Sequence, residues 1–161
     1  MGDRMADLHA QDFVRWTEEQ ARALRRAARA GANSPVDWEN VAEEIESLGI
    51  SQKHELRSRI AAVIEHLLKL ECSPAKDPRA GWMDTIGRER DEIERLLGDS
   101  PSLAGAVADL VAAELPRAVR AIGRTLRLYG EASVEATAKL AAASYTPEQI
   151  LGDWFPGEAD A

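Results

Sequence analysis

Carboxylates crowd one short stretch of the sequence, Asp37-Trp38-Glu39-Asn40-Val41-Ala42-Glu43-Glu44-Ile45-Glu46, and helical carboxylates are the raw material of a di-iron site. Such a site takes a Glu from each of two helices and a Glu-x-x-His from each of two more. Here Val63 stands three residues before His66 and Ser51 three before His54, so neither histidine completes the motif. His54-Glu55 begins like a zinc-protease motif, but Ser58 occupies the place of its second histidine. Cys72 lies six residues after His66, and a lone helical cysteine packs as a small residue. No catalytic residue, metal or cofactor is therefore expected, and the acidic stretch reads as a solvated face.

A second set draws attention through position. Glu44, Arg59, His66, Glu71 and Arg90 all fall on or beside core-facing stripes, and an unpaired buried charge is costly. Two readings are open. In one, Arg90 is held by Glu44 or another carboxylate and the network fixes helix packing. In the other, Glu44, Arg59, His66 and Arg90 line a polar pocket between helices, with the arginines gripping an anionic ligand. The arginines near the end of the first helix (Arg22, Arg25, Arg26, Arg29) lack interleaved aromatics and read as a solvated face.

The elements that must position these residues are helical throughout. Asp12 suits an N-cap, and Phe13, Trp16, Gln20 and Leu24 share one face of the helix it opens. Residues 31–35 break the chain. Asp37 then caps a helix whose stripe is Trp38, Val41, Ile45 and Leu48, with Glu44 at its edge and Gly49 as a left-handed stop. Ser51 opens the next, with Leu56, Ile60, Val63, Leu67 and Leu70 inward. The short link predicts an antiparallel hairpin of helices at about 37–48 and 51–71. Trp82, Ile86, Ile93 and Leu97 mark a further helix that contains Arg90. Ser100-Pro101 is a helix start, Pro116 should kink or interrupt the segment it opens, and Thr146-Pro147-Glu148-Gln149 is a capping box. Trp154 and Phe155 offer a clasp back onto the bundle.

No run alternates with period two, and no phosphate-loop glycine pattern occurs. The expectation is all-α: one helical domain over 1–161, with 1–11 and 157–161 frayed. At 45% hydrophobic and 30% charged residues the composition is that of a soluble globular chain, and no run is long enough to span a membrane. A single cysteine and no signal-peptide h-region suggest the cytoplasm. A net charge of -8 argues against nucleic acid. The leading expectation is a non-enzymatic helical module that binds itself or a protein partner; the alternative is a small ligand- or metal-binding protein or enzyme whose site is the pocket around Glu44, Arg59, His66 and Arg90.

Asp12-Phe13-Val14-Arg15-Trp16-Thr17-Glu18-Glu19-Gln20 resembles the opening motif of the domain of unknown function 29 family. Asp37-Trp38-Glu39-Asn40 into Ala42-Glu43-Glu44-Ile45-Glu46-Ser47-Leu48-Gly49 matches its centre, as do Glu55-Leu56, Arg59 and His66-Leu67-Leu68-Lys69. Trp82, Thr85-Ile86, Arg90 and Pro101-Ser102-Leu103 continue the likeness, and Tyr145 to Leu151 with Phe155-Pro156 closes it. The resemblance implies a helical prokaryotic protein without an established activity, and so transfers no catalytic residue. Between Leu115 and Ser144 the chain departs from the pattern, carrying Arg124-Thr125-Leu126-Arg127 and an alanine-rich stretch in place of a glycine turn.

Overall fold

The computed structural model describes residues 2–31 and 34–157; Ala32 and Asn33 of the expected break and 158–161 of the expected tail lie outside the described residues. Among the described residues there are helices and no strand, as the periodicity predicts. They are α1 (Gly2–Gln11), α2 (Phe13–Arg29), α3 (Trp38–Cys72), α4 (Arg79–Asp99), α5 (Val107–Leu128), α6 (Val134–Ala142) and α7 (Pro147–Leu151), with a 3-10 helix at Pro101–Ala106 before α5. The chain divides into two compact units, one of Met1–Leu56 with Arg95–Gly105, the other of Arg57–Glu94 with Ala106–Ala161.

In the first unit the start of the chain, expected to be frayed over 1–11, forms α1. The His9 ring of α1 stands edge-on to Trp16 at 4.6 Å and to Phe13 at 5.6 Å, an aromatic contact that ties α1 to α2. Asp12 caps α2 by accepting from Arg15 N at 3.0 Å, and its carboxylate also takes Ser102 N at 2.8 Å and Ser102 Oγ at 2.9 Å. One acid thus serves two helix starts. Ser100, fully buried, accepts from Val14 N and donates to Gln52.

The predicted hairpin does not form. α3 runs without a break through Gly49-Ile50-Ser51, and Gly49 does not adopt a positive φ. Its glycine serves a different need: a Cβ there would come within 2.2 Å of Thr17 Oγ1, so hydrogen is the only side chain that lets α2 approach. Ser51 is no cap either, since its hydroxyl donates back to the Ser47 carbonyl as serines do inside helices. The approach is clamped at its rim by Arg25 to Glu46 at 2.7 Å and Lys53 to Glu18 at 2.7 Å. The Arg25–Glu46 hydrogen bond holds Glu46 below the usual carboxylate range and Arg25 above its own.

In the second unit Ile60, Val63, Leu67 and Leu70 of α3 are buried as read, with Ile64 and Leu68 beside them; of the α4 stripe Ile86 and Ile93 are buried and Trp82 is half-buried, and Ile122 and Leu126 of α5 are buried as well. The expected interruption at Pro116 is absent, because α5 is continuous from Val107 to Leu128. A proline deletes one N–H and crowds one turn, a defect that packing on both sides of it can carry. α7 starts with the predicted capping box, complete in both directions between Thr146 and Gln149.

Candidate functional site

Arg90 occupies a core position on α4 and is only 7% exposed. In its described contacts backbone carbonyls take the place expected of Glu44. Nε donates to the Ile150 carbonyl at 3.0 Å, and Nη2 donates to those of Gln149 and Trp154, both at 2.7 Å. The guanidinium also lies over the Phe155 ring, 5.1 Å from its centroid. The cause is generic: α7 ends with carbonyls that have no partner inside the helix, and a cation at a helix C-terminus is the favourable sign. Arg90 is a latch for the C-terminal segment.

The other candidates are engaged separately. Arg59 pairs with Glu89 at 3.0 Å and Glu92 at 3.6 Å. His66 Nδ1 donates to the Ala62 carbonyl at 2.8 Å, one turn back on α3. Glu44 is exposed, in the first unit. None of the four lines a described cavity.

Glu71, whose inward position is odd for an acid, accepts a hydrogen bond from the Tyr145 hydroxyl. Burial first, then that bond, pushes the Tyr145 phenol up. Next to it Cys72, 5% exposed, is pushed up to about 11, mainly by burial and then by the Glu71 charge. Such a thiol stays protonated at neutral pH, the opposite of an activated nucleophile. Beside these residues lies a hollow of about 410 Å³ lined in part by Glu131, Glu135 and Lys139, in which Ser73 Oγ donates to Glu131 at 2.7 Å. A second hollow of about 320 Å³ has Trp82, Ile122 and Tyr129 in its walls. Among the described residues no three His, Cys, Asp or Glu side chains are grouped to hold a metal ion, and no helix is long and apolar enough to cross a membrane.

Sequence reasoning passed over Glu114, which is 6% exposed on α5 and accepts from Arg57 and, at 3.2 Å, from Arg117. The Glu114–Arg117 spacing is a readable helical pair, but nothing local announces Arg57. The inward face of the first half of α3 is also turned from the one the spacing predicts. Ala42 and Gly49 are buried, whereas Val41 is 38% and Leu48 51% exposed. Of that stripe Val41 and Leu48 are left on the surface, while Trp38 and Ile45 are half-buried.

A solved α-helical protein of unknown function from Rhodospirillum rubrum is similar over 92% of this chain and 98% of its own, at 20% identity with a TM-score of 0.68, which shows the fold. No curated protein matches the chain. The family model described as domain of unknown function DUF29 matches residues 8–155, nearly the full length, and the chain belongs to that family.

Proposed function

We propose that the chain is a non-enzymatic protein-interaction module whose docking face is the first half of α3. One observation carries this reading: Trp38, Val41, Ile45 and Leu48 recur at spacings of three, four and three, the seam pattern of paired helices, while Val41 and Leu48 remain 38% and 51% exposed. A helix that buries its alanine and glycine, half-buries its tryptophan and isoleucine and shows its valine and leucine has an apolar edge without a use inside its own unit. Glu44, exposed at the stripe's edge, supplies the flank that selects a partner helix with lysine or arginine beside its apolar anchors.

The paired variant Val41→Glu with Leu48→Glu tests it. Both positions are exposed, so thermal unfolding should match the parent within about 1 kcal/mol. Affinity capture from the source organism, read by quantitative mass spectrometry, should retain a partner on the parent chain and lose it on the variant. Light scattering across concentration reports whether that partner is a second copy. If capture and oligomeric state are the same for both chains, this face binds nothing and the reading fails.

A further inference from the structure

Three arginines of α5 differ from several others in the described chain. Arg25, Arg57, Arg59, Arg88 and Arg117 each have a carboxylate within ion-pair distance. Arg120, Arg124 and Arg127 are exposed, and among the described residues none of the three has a carboxylate partner, in a chain with 28 acidic residues against 20 basic. Their spacing of four and three puts them on one face, spread over roughly 10 Å at 1.5 Å of rise per residue. All three line a hollow of about 410 Å³ between α5 and α6, completed by Val119, Gly123, Thr137, Leu140 and Ala141. Its floor is apolar: Leu140 is 7% exposed, and Gly123 brings the α5 backbone to within ordinary contact of it, a Cβ there lying 3.4 Å from Leu140 Cδ2. The same Cβ would lie 3.6 Å from Arg127 Nη1, so that guanidinium reaches back over the floor.

We infer that this hollow docks an acidic amphipathic helix of a partner protein. An apolar side chain would fill the floor while Asp or Glu at neighbouring turns takes the guanidiniums, which grip carboxylates through two parallel hydrogen bonds. Charge complementarity selects this occupant over other anions. A nucleic acid would find no aromatic platform for its bases in the lining. A flat bilayer surface would span the hollow without reaching its floor. The surface lies in a different unit from the α3 stripe and in the segment that departs from the family pattern, so it stands or falls independently.

The test uses the full chain and a fluorescein-labelled, stapled helical peptide of about four turns, with Leu at i, i+3 and i+7 and Glu beside them. Anisotropy should show saturable binding that salt weakens, and a peptide with Lys for Glu should not bind. Replacing Arg120, Arg124 and Arg127 together with Gln should weaken binding about tenfold or more, the sum of three partly exposed ion pairs. Ala141→Glu, at an exposed position in the hollow, should weaken it comparably, and the Val41/Leu48 double variant should leave it unchanged. Three results would overturn the inference: binding that survives Ala141→Glu, equal displacement by an oligothymidylate or by phosphatidylserine vesicles, or self-association abolished by the arginine variant, which would make the face an interface between copies.

Discussion

Replacing Arg90 by methionine keeps a long, unbranched side chain in the core and removes every donor. Three carbonyls then lose their partner, that of Ile150 in a buried place and those of Gln149 and Trp154 in half-buried ones. Hydrogen bonds from a charged group contribute about 1.5–3 kcal/mol each, but three that share one guanidinium are not additive. A buried acceptor left without a partner costs about 1–3 kcal/mol, and removing the guanidinium leaves no buried charge behind, so about 3 kcal/mol is the magnitude expected here. Against a typical total of roughly 5–15 kcal/mol the chain would stay folded but visibly weakened. The loss should also be local. The amides of Ile150 and Gly152, bonded to Thr146 and Glu148 carbonyls at 3.1 and 2.8 Å, belong to the segment that Arg90 holds. Hydrogen exchange read by mass spectrometry should show peptides over 146–155 losing protection ahead of α3. Arg90→Lys should fall between the two, because an ammonium keeps the charge without the planar fork. Urea denaturation that finds less than about 1 kcal/mol between parent and Arg90→Met, with 146–155 still protected, would refute the latch.

Gly49→Ala places a methyl 2.2 Å from Thr17 Oγ1 and should destabilise by about 1–3 kcal/mol despite alanine's higher helix propensity; adding Thr17→Ala should restore most of the loss, an interaction that a denaturation double-mutant cycle measures. Stability should also fall in alkali. Cys72, at about 11 in the folded chain, and Tyr145, pushed up as well, both favour their neutral forms on folding, so the folded state holds more protons once the unfolded thiol and phenol begin to titrate. Their contribution is complete below about pH 8.5 and is lost as pH rises from there past 11, with Tyr145→Phe flattening the upper part; urea midpoints that do not move between pH 8 and 11 would remove this account.

Periodicity made the second half of α3 legible, since Ile60, Val63, Leu67 and Leu70 are large, apolar and buried as their spacing requires. It misled in the first half for a physical reason. A glycine after an apolar run can stop a helix in the left-handed region or thin it for a neighbour, and the local sequence is the same in both cases. What decides is Thr17, fully buried on α2 with its hydroxyl tied to the Val14 carbonyl, and residues 38–51 hold no trace of it. Once Gly49 is the contact, Ala42 must be inward with it, and Val41 and Leu48 turn out by geometry. Arg90 obeys a similar logic. A cation inside an apolar stripe demands a counterpart, and the eye goes to carboxylates because only they are visible as letters. Every helix end also carries unpaired carbonyls, which have no letter at all. The capping box at Thr146 locates the start of α7, and α7 is short enough that its far end had to lie within a turn or two. The counterpart of Arg90 was therefore readable as a place in the chain, though not as a residue type. The same blindness makes surfaces the hardest part to read: what marks Arg120, Arg124 and Arg127 is the absence of carboxylates around them, and only the folded chain reveals which acids are near.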